Sequence, residues 1–119
     1  MATFRDLIIW QKAMSLVTET YRYVSNFSEE EVYGLTSQMR RCSISIPSNI
    51  AEGYGRRGKK DFCKFLNIAM SSLFELQTQY EIASNLNYME KDVFQKSYEN
   101  TREIERMLSS YIRKVEMSI

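Results

Sequence analysis

From Leu7 onward the apolar side chains recur at steps of three and four, through Leu7, Trp10, Met14, Val17, Tyr21 and Val24, the seam of a helix packed in a bundle. A second seam, Ile9, Ala13, Leu16, Thr20, Tyr23 and Phe27, runs beside it, displaced by one position or about 100° around the axis. Together they make an apolar arc wider than one face of a small bundle requires. Two readings stay open: the helix sits deep in its own core, or part of the arc contacts another subunit.

Asn26-Phe27-Ser28 closes this helix, and Ser28 with Glu29, Glu30 and Glu31 opens the next as a serine N-cap, with Glu31 in the capping-box position. Val32, Leu35, Met39, Cys42 and Ile46 follow at heptad spacing, with Asn49 and Gly53 next in the seam. Two local signals conflict here. Cys42 to Ile46 alternates polar and apolar like a strand, and Pro47 disfavours helix at Ile46. An interior proline costs about 3 kcal/mol, yet the seam keeps its phase from Val32 to Gly53, which a strand would not preserve. The pattern predicts one kinked helix over residues 28 to 55, with the Ser43, Ser45 and Ser48 hydroxyls available to the bend.

A third helix begins at Lys59-Lys60-Asp61. Its seam is Phe62, Leu66, Ala69, Leu73, Leu76, Tyr80 and Ala83, and it ends near Asn85-Leu86-Asn87. The fourth runs from about Glu90 through Phe94, Ser97, Thr101, Ile104, Leu108, Tyr111 and Val115, and its Glu103, Glu105, Arg106, Arg113 and Lys114 read as a solvated face. One proline and four glycines in 119 residues are too few for an all-β chain that turns every ten residues or so. The expected fold is all-α: a single domain over residues 1–119, an antiparallel up-down-up-down four-helix bundle with a proline-kinked second helix.

No stretch has the uninterrupted apolar run of a signal peptide or a membrane span, so a cytoplasmic protein with no membrane partner is expected. The chain has no histidine, which removes Cys/His zinc fingers, His-based triads and the Glu-x-x-His ligand pairs of di-iron bundles. Cys42 and Cys63 form no C-x-x-C pair and read as small buried thiols. No metal, no cofactor and no enzymatic activity are expected.

Charge is where the chain departs from an ordinary bundle. Residues 40–64 hold seven Lys or Arg against Glu52 and Asp61, a local balance of +5, while the remaining residues carry nine bases and thirteen acids, or −4. Gly53 to Gly58 match G-x-G-x-x-G, and Gly53 to Lys59 match part of a P-loop. Both motifs need a preceding β-strand, and the P-loop needs Ser or Thr where Lys60 stands. What remains is a basic loop at a helix N-terminus, where free amides and the dipole favour anions. Arg40, Arg56, Arg57, Lys59, Lys60 and Lys64 are the candidate phosphate contacts, and Tyr54 the candidate stacking surface for a base. The plainer reading is a loop that is merely kept solvated. Gln38, Arg41, Asn49, Glu52 and Glu75 fall within or beside apolar seams. If internal they must pair, with Arg41 to Glu52 or Glu75 the expected contact in a structural network that fixes register.

The runs YGLTSQMRR, SIPSNIAEGYGRR, DFCKFLNIA and SSLFELQTQ resemble the bacterial four-helix-bundle family encoded in intervening sequences of large-subunit ribosomal RNA genes. They are also similar to accessory proteins of diversity-generating retroelements. The resemblance extends from Asp6 into the second half of helix 3 and is most specific around Pro47 to Gly53. Ser71 departs from it where glycine is common, and Gly58 where a capping serine is common. It implies a non-enzymatic homo-oligomer, a pentamer in the retroelement case, with a basic surface for RNA or DNA and a reverse transcriptase or other protein as partner. The competing expectation is an oligomeric protein-interaction scaffold with no nucleic acid contact.

Overall fold

The computed structural model describes residues 1–119, which form four helices: α1 (Ile8–Val24), α2 (Leu35–Tyr54), α3 (Lys59–Asn85) and α4 (Lys91–Met117). Each packs on its neighbours in sequence, α1 closes on α4, and the diagonal pairs stay apart, so the helices form an up-down-up-down square of 45 × 24 × 23 Å. One end of the bundle gathers the start of α1, the end of α2, the start of α3 and the end of α4. Lys12 pairs with Glu103 at 2.6 Å and Glu19 accepts from Asn100 at 3.2 Å, which ties α1 antiparallel to α4. No helix is long and apolar enough to cross a membrane.

The seam of α3 and the middle of the α4 seam point inward as their spacing predicts, but after Leu108 the buried position is Ile112, and Tyr111 and Val115 are only half-buried. Leu66, Ala69, Leu73, Leu76, Tyr80 and Ala83 are buried on α3, and Ser97, Thr101, Ile104 and Leu108 on α4. At the centre the Thr20 and Tyr80 hydroxyls share a 2.8 Å hydrogen bond, and burial pushes the Tyr80 phenol above its ordinary range despite that bond. Both cysteines are buried and free. Cys42 donates to the Ser72 carbonyl at 2.9 Å, and burial, with Glu75 adding, pushes its thiol up to about 12.

On α1 the two seams separate. The second one is buried at Ile9, Ala13, Leu16, Thr20 and Phe27 and half-buried at Tyr23, and Val24, the last position of the first, is buried with it. The first is left at the surface: Met14 and Tyr21 are exposed, and Trp10 and Val17 only partly covered. An unexpected 3-10 turn, Phe4–Asp6, precedes α1. It is held by a reciprocal capping box between Thr3 and Asp6, and Phe4 packs edge-on against Trp10.

Helix 2 does not begin at Ser28. Ser28 caps a single 3-10 turn, Glu29–Glu31, by accepting from the Glu30 amide at 3.3 Å, and α2 starts only at Leu35 after a turn through Gly34. Glu31 caps forward instead. One carboxylate oxygen accepts from the Leu35 amide at 3.2 Å and the other from the Tyr88 hydroxyl at 3.0 Å, so Glu31 staples the α1–α2 and α3–α4 connections together. Val32, expected in the seam, lies exposed in the turn.

From Leu35 to Tyr54 the helix is unbroken, with Pro47 buried inside it. No extended segment forms at Ser43 to Ile46. Pro47 has no amide to donate to the Ser43 carbonyl, and the neighbouring hydroxyls do not replace it: Ser43 donates to the Arg40 carbonyl at 2.9 Å, and Ser45 shares a 2.9 Å bond with Ser72. Beyond the proline Gly53 lets α2 and α3 meet, since a Cβ there would lie 2.7 Å from the Phe65 Cβ and 2.9 Å from the Phe62 ring. Ser71, by contrast, is exposed and faces no neighbouring helix closely.

Candidate nucleic-acid interface

The loop that leaves α2 is built from Gly55 to Gly58, and Gly58 is the N-cap of α3 with no side-chain hydrogen bond of its own. The first-turn amides of α3 are therefore open to solvent at the positive end of a 27-residue dipole, which Asp61 only partly offsets. Arg56 is tethered: its guanidinium lies 4.7 Å from the Phe65 ring centroid and donates to Glu52 at 3.2 Å. Lys59 reaches the Ser118 carbonyl at 3.4 Å. Arg57, Lys60 and Lys64 are exposed and pair with no acid. Lys60 and Lys64 stand one turn apart on the same side of α3. Tyr54 is half-buried, its ring edge-on to Phe62, which in turn meets Tyr111 edge-on at 5.8 Å.

Arg40 does not belong to this cluster. It lies fourteen residues before Tyr54, about 21 Å along α2. Its guanidinium sits 5.3 Å from the Tyr21 ring centroid, with the buried Nε lacking a partner. The polar network expected of Gln38, Arg41, Asn49, Glu52 and Glu75 does not form either. Gln38, Arg41, Glu52 and Glu75 are exposed, and Arg41 pairs with neither carboxylate. Asn49 is half-buried and turns back on its own helix, donating to the Ser45 carbonyl at 2.7 Å. Charges beside a seam reach water by rotating outward, which costs less than burial.

The fold supplies cations the charge run missed. Arg106, Arg113 and Lys114 end α4 beside the start of α3, as the Lys59–Ser118 and Phe62–Tyr111 contacts fix, and Arg5 flanks the start of α1 at the same end. Divided across the middle of its helices, the molecule has ten cations and five acids in residues 1–16, 45–72 and 104–119, and six cations and ten acids in the rest. One half is +5 and the other −4. The antiparallel topology was the available signal, because it sets the last turn of α4 against the first of α3.

Two apolar surfaces flank this axis. Trp10, Met14, Val17 and Ile44 line a groove between α1 and α2, with Arg22 and Arg40 at its far end. On its outer surface, away from α1, helix α3 exposes Ile68, Phe74 and Ile82 with Glu75 and Glu81 among them.

Comparison with proteins of curated function gives no match. Among solved structures the chain is similar to a protein of unknown function from the S23 ribosomal protein family of Bacteroides thetaiotaomicron. The two share 23% identity and a TM-score of 0.79 over 88% of this chain and 98% of that one, a likeness of fold. The family model described as 23S rRNA-intervening sequence protein matches residues 5–110, which include all of α1, α2 and α3 and most of α4, and the chain belongs to that family.

Proposed function

We propose that this protein is a non-enzymatic homo-oligomeric bundle whose basic end binds the phosphates of RNA or DNA. The observation that carries the reading is the longitudinal charge separation, +5 in one half of the molecule against −4 in the other. Arg57 in the loop and Lys60 and Lys64 in the first turns of α3 are unpaired cations, and Arg106, Arg113 and Lys114 add to them on α4. Such a patch binds phosphate without reading sequence. The non-enzymatic part rests on the chain's chemistry: it has no histidine, and the Cys42 thiol is shifted away from the thiolate that a nucleophile requires.

Self-association supplies the avidity that a small patch lacks. The α1–α2 groove carries apolar side chains with arginines, and the α3 stripe carries apolar side chains with glutamates, on different faces. Two unlike complementary faces favour head-to-tail contacts, which close into rings, a pentamer being the expected size from the likeness to retroelement accessory proteins. A ring built this way turns every basic end to one side. The apolar surfaces also support the second reading, a scaffold for a protein partner such as a reverse transcriptase, without nucleic acid. Replacing Arg56, Arg57, Lys59 and Lys60 together with alanine tests the first reading. Micromolar affinity for a nucleic acid oligomer should fall at least tenfold, and unchanged affinity rejects the patch.

A further inference from the structure

At the basic end a groove of about 540 Å³ opens between the start of α1 and the end of α4, within the ~300 to 1,000 Å³ of small-ligand clefts. Its floor is apolar, made by Leu7, Ile9, Met107 and Tyr111, and Arg106 and Lys114 stand along its α4 wall. The one acid lining it, Asp6, is already engaged by the Thr3 amide at 2.8 Å. Tyr111 joins this groove to the cationic loop, because its ring contacts Phe62, and Phe62 contacts Tyr54 at the end of α2. An apolar groove flanked by cations, at the same end as the proposed phosphate-binding surface, matches a polyanion that can turn a π-face inward. A duplex cannot do so, since its bases are stacked and its outer surface is phosphate.

We infer that the α1–α4 groove takes an unpaired base of a single-stranded nucleic acid, with Arg106 and Lys114 holding the adjacent phosphates. The inference rests on the phosphate-binding reading above and narrows it from any polyanion to a single strand. Stacking on the Tyr111 ring and contact with the aliphatic floor tolerate any base, so the preference is for strandedness and not sequence.

The test uses the whole protein and a fluorescein-labelled 15-nucleotide RNA, single-stranded or annealed to its complement, followed by anisotropy. The single strand should bind about tenfold more tightly than the duplex. Ser110 lines the groove and is exposed, so Ser110→Leu, which adds bulk without a stacking ring, should narrow the slot and remove most of that difference while leaving duplex affinity unchanged. The paired Arg106→Ala and Lys114→Ala variant should weaken the single strand more than the duplex. The matching DNA strand should bind within about threefold of the RNA, because the contacts are to base and phosphate. A 4-thiouridine strand should photo-crosslink to Tyr111 or Met107. Equal affinity for single strand and duplex, insensitivity to Ser110→Leu, or crosslinks confined to residues 56–64 would overturn the inference while leaving the phosphate patch standing. A groove that binds an oligoglutamate peptide and not the strand would assign it to an acidic protein segment instead and equally overturn it. Failure of the native protein to bind either RNA form would reject the patch itself.

Discussion

Tyr80 shows how much one side chain can decide. Its hydroxyl is fully buried and bonded only to Thr20, so Tyr80→Phe leaves a buried threonine hydroxyl without its partner and should cost about 1–3 kcal/mol in urea unfolding. The same residue sets an alkaline limit. Its folded pKa is raised above the unfolded value, so its contribution is complete below pH 10 and is lost as pH rises toward the folded value; Cys42, raised from 9.0 to about 12, acts in the same direction. Stability should therefore fall from pH 9 to pH 11, more gently in Tyr80→Phe, and a flat profile would contradict the burial of both groups. Gly53 is the other decisive residue. Gly53→Ala gains about 1 kcal/mol of helix propensity but drives a methyl into Phe62 and Phe65, and overpacking of that kind costs about 1–3 kcal/mol, so a net loss is expected. A stabilised Gly53→Ala protein would mean that α2 and α3 can part without cost.

Among the elements, α3 and the first part of α4 were legible because their apolar spacing runs unbroken. Where the sequence misled, the reasons are geometric. A strict heptad drifts by about 20° per repeat against a straight helix. The inward position after Ile46 is accordingly Ile50, not Asn49, and after Leu108 it is Ile112, not Tyr111. The start of α2 was invisible for a different reason. Ser28 to Glu31 satisfies the local capping pattern, but Glu31's partners are the Leu35 amide ahead and Tyr88, which lies 57 residues away. Glu31→Ala should cost about 1 kcal/mol in thermal unfolding, and Glu31→Gln, which retains an acceptor, distinctly less. Equal losses from the two would show that the carboxylate's charge, and not its geometry, holds the turn.

At the scale of the whole molecule, the candidate site was half legible. The loop cations Arg57, Lys60 and Lys64 follow from the charge run, whereas Arg40 is near them only in sequence, since the helix carries it far along the axis. Arg106, Arg113 and Lys114 look like a solvated face in the sequence because only the antiparallel packing brings them to the loop. Oligomerisation is tested by light scattering. Met14→Glu in the α1–α2 groove, or Phe74→Lys on the α3 stripe, should each lower the particle mass without loss of helicity, because each sets a charge against the like charges of the facing surface in a head-to-tail interface. A native monomer at every concentration would remove the avidity argument. The most direct test of the polar-axis account is the salt dependence of affinity for a single-stranded oligonucleotide, measured for the native protein and two triple-alanine variants. Replacing Arg57, Lys60 and Lys64 should flatten the slope of log K against log salt by about 0.7 for each phosphate that is no longer neutralised, whereas replacing Lys91, Lys96 and Arg102, which lie in the acidic half, should leave it unchanged. Equal slopes from the two variants would contradict the account.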